Sequence, residues 1–246
     1  MKHYTMCVEC DESNPQDIVW ASGELTNELY AICTCQQGHK TLSSLTHHAP
    51  DIIFMSAVRA FRYECYSESV LSFTAALERT FEIFFKAFWI KQEIKQEIKF
   101  DILDEMWKEM KKQSERQYGA FCLAYCVITK TAWKTDNNKT EFRNKVVHQG
   151  YIASKSETLK YAEYITEKLD TIISVLNSEL EEECKKLNFH NQKSRSCQKL
   201  LDDNPDLKFC ASGLPSLLCW NHSDRSTITF DDVLKKAEEI EKILVF

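Results

Sequence analysis

The stretch EFRNKVVHQGYIASKSETLKYAE, residues 141 to 163, reads as the end of one helix and the beginning of another. Gly150 marks the stop, because glycine takes the left-handed terminal conformation that other residues resist. Ser154 followed by Glu157 is a capping-box pattern, in which each side chain satisfies a backbone N–H of the new helix. That helix carries Leu159, Ala162, Ile165, Leu169, Ile172, Ile173, Leu176 and Leu180 in one apolar stripe. Their three- and four-residue spacing is the period of an amphipathic helix.

The same period extends upstream. Val70, Phe73, Leu77, Phe81, Phe84 and Phe88 line one face of a long helix in a region that turns helical from about Asp51. A second long segment, about 100 to 129, carries Trp107, Met110, Phe121, Leu123 and Tyr125, and residues 134 to 139 (KTDNNK) read as a polar loop. Only 5 Gly and 4 Pro occur in 246 residues, too few turn formers for a strand-rich fold, and 43% hydrophobic content is enough for a core. The first 50 residues differ: short alternating pieces such as Leu29-Tyr30-Ala31-Ile32 predict small β elements, and Pro50 predicts a boundary. Downstream, the long helix runs out in the charged residues 181 to 186. Residues 188 to 204 are polar and basic, and the basic stretch 185 to 199 reads as a solvated connector in preference to a guide for RNA. Residues 213 to 215 read as a turn, and residues 229 to 244 read as a closing helix with Thr229 or Asp231 near its cap. The predicted organisation is a knuckle over 1–50, a helical bundle over 51–188 and a C-terminal extension over 189–246. The fold class expected is therefore an all-α bundle with a small N-terminal β knuckle.

A net charge of −6 argues against a surface coated for indiscriminate nucleic-acid binding, although a local basic cleft is compatible with it. The opening residues MKHYTMCVECDES place polar and acidic side chains where a secretory leader keeps its apolar centre. No stretch reaches the roughly 20 apolar residues of a membrane span. The expectation is a cytoplasmic protein with reduced thiols, so the eleven cysteines are not a disulfide framework. Cys65, Cys122, Cys126 and Cys184 fall within apolar-periodic segments and read as helix-core residues.

Two cysteine clusters remain, one near each end. Cys7-x2-Cys10 and Cys35-x3-His39 form two paired-ligand knuckles, and together they supply the four thiolate and imidazole donors that tetrahedral zinc takes. Gly38 lets the second knuckle curl. Cys33 competes with Cys35, which is preferred because its spacing to His39 matches other paired knuckles. Four protein ligands leave no open position for water, so one structural Zn2+ per chain is expected. A zinc-dependent hydrolase at this site is the rival reading. Cys197, Cys210, Cys219 and His222 are a weaker second candidate, because their spacings are irregular and Trp220 points to ordinary packing.

The other chemistry-bearing group is Arg143-Asn144-x3-His148. Asn144 and His148 share a helix face, while Arg143 lies about 140° around the axis from His148. Its long side chain reaches toward the imidazole most easily if Arg143 lies near the helix N-terminus. An imidazole moves protons near neutral pH. A guanidinium holds a phosphate with paired donors and offsets charge that develops on it.

With these residues in view, the chain resembles HEPN domains, whose hallmark is Arg, a polar residue and then His at this spacing. The helix SVLSFTAALERTFEIFF (69–85), with its Leu77-Glu78-Arg79 step, resembles that family's first long helix, and KQSERQ (112–117) resembles a middle helix in some members. The likeness covers about 51 to 183. It implies a dimerising bundle in which two Arg/His motifs face one cleft and cleave RNA without a metal, the ribose 2′-hydroxyl attacking the adjacent phosphate. By the same resemblance Arg143 binds the phosphate, His148 is acid or base, Asn144 supports them and Glu78 orients Arg143. A toxin or phage-defence setting, with an antitoxin or defence-system partner, is implied in the same way. Pairing of a zinc knuckle with such a bundle is likewise associated with bacterial members. HEPN domains also include members without catalysis, which leaves a dimeric sensor of RNA, nucleotide or protein as the alternative.

Overall fold

Strand alternation is clearest in the third strand of the chain, where Ala31, Cys33 and Cys35 turn inward and Ile32 and Thr34 face out. The computed structural model describes residues 2–14, 16–46, 48–92, 100–194, 197–212, 216–218 and 227–244. It divides into two units, one formed by residues 1–48 with 188–215 and the other by 49–187 with 216–246. The C-terminal region is thus shared between the two units, which differs from the predicted split into 1–50, 51–188 and 189–246.

The first unit is a five-stranded sheet in sequence order: β1 Lys2–Met6, β2 Trp20–Glu24, β3 Tyr30–Cys35, β4 Lys40–Leu45 and β5 Lys208–Ser212. The first four strands form an antiparallel meander, and β5 joins β4 in parallel, with Thr41 opposite Lys208 and Leu42 opposite Phe209. A short helix, α1 (Val8–Ser13), fills the β1–β2 connection. Gly23 is required in β2, because a Cβ there would sit 2.3 Å from the carbonyl oxygen of Ile32. The sheet interior holds a buried polar pair, His3 Nε2 and Ser43 Oγ at 2.8 Å. Burial holds the His3 imidazole below its ordinary pKa, favouring the neutral ring.

The second unit is built on α3 (Tyr66–Gln92), which packs against α2 (Ala49–Arg62), α5 (Ser114–Thr129), α6 (Asn137–Gln149) and α7 (Lys155–Glu179). Phe54, Phe73, Phe84, Phe121, Ile165, Leu169, Ile172 and Ile173 are fully buried in its core. Phe81 stacks on Phe121 at 4.2 Å, and Trp133 stands edge-on to Phe121 and Tyr125 at 5.0 Å each. The segment read as one helix from 100 to 129 is two, α4 (Phe100–Met110) and α5, separated by a turn at 111–113. Leu123 and Cys126 lie on the outward face of α5, and Cys65 lies exposed between α2 and α3, so these residues are not core as the periodicity implied. Cys122 and Cys184 are half-buried, and burial pushes the Cys184 thiol up to about 12.

The predicted helix ends are present. Gly150 is left-handed at φ 68°, and its N–H and that of Tyr151 both return to the Lys145 carbonyl, the latter at 3.2 Å, which closes the helix. Ser154 and Glu157 form both bonds of the capping box. At the other end of α6, Asp136 accepts from Asn138 N–H at 2.8 Å, so this helix starts inside the stretch read as loop. Residues 181–194 and 197–203 are also helical, as α8 (Glu181–Ser194, which contains the boundary between the units) and α9 (Cys197–Asp203), through much of the stretch where a solvated connector was expected. The closing helix, α10 (Phe230–Leu244), is capped by Thr229, whose hydroxyl accepts from Asp232 N–H at 3.2 Å. Phe230 sets its ring edge-on to Phe61 and Phe73. No helix among the described residues is long and apolar enough to cross a membrane.

Two substitutions test these arguments. Gly23→Ala forces β2 away from β3, so the sheet unit should lose about 1–3 kcal/mol, read as faster amide exchange in β2 and β3. Ser154→Ala removes half of the capping box and should cost the helical unit about 1 kcal/mol, read as a lower urea midpoint at constant m-value.

Candidate functional site

The two knuckles meet at one end of the sheet. Cys7 caps α1 and Cys10 lies in its first turn, with Cys7 N–H held by the Val19 carbonyl at 2.8 Å. Cys35 ends β3, where the chain reverses through Gly38 at φ 85°. Gly38 N–H bonds to the Cys35 carbonyl at 3.0 Å, and Cys35 N–H bonds to the His39 carbonyl at 3.1 Å. The donor atoms of Cys7, Cys10, Cys35 and His39 all lie within 4.8 Å of one another. Cys10 Sγ is 3.2 Å from His39 Nδ1 and 3.9 Å from Cys35 Sγ, and Cys7 Sγ is 4.0 Å from His39 Nδ1.

These separations lie close to, and on either side of, the edges of a ligand tetrahedron, roughly 3.3–3.8 Å for bonds of about 2.0–2.3 Å. The three cysteines are buried and the histidine is half-buried, so the group could hold a metal ion. Burial, with the Cys7 and Cys35 sulfurs close by, pushes the Cys10 thiol up to about 12. At Cys35 burial acts in the same direction, but the backbone N–H groups of Gln37 and His39 together with the Cys7 and Cys10 side chains hold that thiol below its ordinary value. A cation would relieve the crowding of three sulfurs and would tie the two knuckles together across the 25 residues between Cys10 and Cys35.

Cys33 is not part of this group. It is fully buried two residues back on the same face of β3, with Sγ 3.9 Å from the His3 carbonyl. Burial first, then the neighbouring Cys210, pushes its thiol up to about 11. Cys210 sits on β5 and accepts from the Thr5 hydroxyl at 3.6 Å, while Cys197 lies half-buried on α9. Cys219 and His222 lie outside the described residues. Among the described residues, the Cys7–Cys10–Cys35–His39 group alone brings enough metal-binding side chains together.

The second group lies where α3, α6 and α7 meet. Arg143 Nη2 donates to Glu78 Oε1 at 2.8 Å, and Arg143 Nη1 donates to Asn144 Oδ1 at 2.9 Å. Arg143 and Glu78 keep 22% and 27% of their side-chain surface, so water screens this ion pair less than a fully exposed one. Two further residues escaped the sequence reading. Thr74, one turn before Glu78 on the same face of α3, shares a 2.9 Å hydrogen bond with the buried Tyr161 hydroxyl of α7. Burial pushes that phenol up to about 12, and the charges of Arg143 and Glu78 act on it in opposite directions. The available signal was Thr74-x3-Glu78, two polar residues one helical turn apart on a largely apolar helix.

The structure therefore joins Glu78, Arg143 and Asn144 by direct bonds and leaves His148 apart from them. His148 is exposed in the last turn of α6, and among the described residues it makes no hydrogen bond or ion pair. Arg143 sits mid-helix, not near the helix N-terminus, and points across to α3. A guanidinium has five N–H donors, so the bonds to Glu78 and Asn144 leave others able to receive an anion. Residues 134–160 hold six Lys or Arg against three Asp or Glu, a locally basic stretch in an acidic chain. Compared with family models, curated proteins and solved structures, the chain matches none of them.

The metal assignment has a direct check. Elemental analysis of the purified chain should give one ion per molecule, lost in Cys10→Ser and His39→Ala and retained in Cys33→Ala. Loss of the ion in Cys33→Ala alone would instead place Cys33 in the ligand set.

Proposed function

We propose that this chain is a metal-independent endoribonuclease of the HEPN type that works as a homodimer and carries one structural Zn2+ at Cys7, Cys10, Cys35 and His39. The observation that carries the nuclease reading is the fixed Glu78–Arg143–Asn144 network, in which Glu78 of α3 holds Arg143 on the same helix, α6, as the solvent-facing imidazole of His148. Glu78 holds the guanidinium in place, as a carboxylate partner does for a phosphate-binding arginine. Zinc is favoured for the metal because three thiolates and one imidazole suit its soft, tetrahedral preference, and four protein donors close the site.

The exposed apolar side chains near His148 support a dimer. Ile152 is 86% exposed, Tyr151 and Leu71 are also exposed, and Ala153 N–H bonds to Ser67 Oγ at 3.2 Å, one turn from Leu71 on α3. A second copy covering this patch would bring two His148 rings near one substrate. One imidazole would take the 2′-hydroxyl proton as that oxygen attacks phosphorus. The other would protonate the departing 5′-oxygen, leaving a 2′,3′-cyclic phosphate. Arg143 from each copy would bind the phosphate and stabilise its added charge.

A second reading, a dimeric sensor that binds RNA, nucleotide or protein without cutting, is favoured by the exposed His148 ring, which no side chain among the described residues orients by a hydrogen bond.

One assay separates the readings. The protein is incubated with tRNA and mRNA in EDTA, beside His148→Ala, Arg143→Ala and Glu78→Gln. The nuclease reading expects cyclic-phosphate ends, a loss of at least about 100-fold in His148→Ala and a smaller loss in Glu78→Gln. Equal cleavage by wild type and His148→Ala, or no cleavage on a broad RNA panel, would remove the enzyme; retained, Arg143-dependent RNA binding would then support the sensor.

A further inference from the structure

The outward face of the N-terminal sheet is organised as a shallow trough. Register places Tyr4 opposite Ser22, Ser22 opposite Thr34 and Thr34 opposite Lys40, so one row crosses four strands with two small hydroxyl residues at its centre. Trp20, opposite Met6, stands on one side of this row, and Ile32, opposite Leu42, stands on the other. Trp20 is 36% and Ile32 42% exposed. Lys40 closes one end of the row, and at the other end the Lys2 ammonium sits 5.3 Å from the centre of the Tyr4 ring. With strands about 4.8 Å apart, the row is roughly 14 Å long.

We infer that this trough binds single-stranded RNA, with Trp20 and Tyr4 stacking on bases and Lys2 and Lys40 meeting the backbone phosphates. Flat aromatic rings on an exposed sheet of this width suit two or three unpaired bases, because every base offers a π-face. The Ser22 and Thr34 hydroxyls keep the floor low and polar, which suits the edges of bases better than the apolar side chains of a docking helix. Charge decides between ligands: the face carries Lys2 and Lys40 against Glu24, inside a unit whose other flank is acidic. The adjoining groove, about 890 Å3 in volume, shares Ile32 and Lys40 with this face and sets Glu9, Asp203 and Asp206 against Lys208, so the cationic end of the row lies at Lys40.

The choice of RNA as the ligand rests on the ribonuclease reading of the helical unit, but binding at the trough does not require cleavage. The test therefore uses the full-length, metal-loaded His148→Ala chain and a fluorescein-labelled ten-nucleotide oligouridine. Anisotropy gives the affinity, and tryptophan emission reports stacking. The expected results are quenching on binding, at least about fivefold weaker binding in Trp20→Ala, a further loss in Lys40→Glu, and weaker binding of duplex RNA of the same length. Metal content is measured in each variant to show that the knuckles remain folded. Binding unchanged by Trp20→Ala and Lys40→Glu overturns the inference, as does equal competition by inorganic polyphosphate, which has charge and no bases. Cleavage without Trp20-dependent binding sinks the trough alone, whereas Trp20-dependent binding without cleavage sinks the nuclease alone.

Discussion

Burial of α3 is the constraint on which the helical unit depends. This 27-residue helix is covered on several sides, with Val70, Phe73, Ala76, Phe84, Ala87 and Ile90 at or near zero exposure. Fully burying a large apolar side chain stabilises by about 1.5–3 kcal/mol, so the run of phenylalanines fixes both the rotation and the axial position of α3. That fixation presents Thr74 and Glu78 to the seam between α6 and α7. Arg143 and Tyr161 then find their partners without ordering any flexible segment, and the cost of partly desolvating a charge pair is offset by packing already in place.

The sheet unit solves a different problem. Its apolar interior is small and includes His3, Thr5, Thr41 and Ser43, all nearly or fully buried. A unit with so little hydrocarbon gains from cross-links, and a metal at Cys7, Cys10, Cys35 and His39 would join the β1–α1 turn to the β3–β4 hairpin. The fifth strand supplies a second tie, since β5 arrives from residue 208 and pairs in parallel with β4. Both ties are non-local, so the meander, its metal donors and a distant strand form one cooperative structure.

Much of this organisation was legible in the residues themselves. The α6 stop at Gly150 and the α7 start at Ser154 follow from side chains that bond to their own backbone within three or four positions. The apolar stripes of α3 and α7 follow from period alone. The candidate metal donors Cys7, Cys10 and His39, with Cys35 preferred over Cys33, were legible because a metal accepts few residue types, and paired knuckles leave a spacing that chance seldom produces. What was missed is non-local: β5 is a five-residue strand whose partner lies more than 160 residues upstream, with no hairpin turn to announce it. Likewise α8 and α9 occupy a stretch too polar for a clear apolar stripe.

By itself the sequence determined the helix ends, the main core faces and three of the candidate metal donors, Cys7, Cys10 and His39, because each depends on the chemistry of neighbours in the chain. Tertiary structure alone decided between Cys35 and Cys33, whose side chains share a strand face but only one of which reaches the other knuckle. It also decided that Glu78 grips Arg143, that Thr74 and Tyr161 stand beside them, and that the C-terminal region is divided between sheet and bundle. Those outcomes depend on how far one element rotates and slides against another, which is set by summed packing over many side chains and leaves no mark on any short stretch of residues.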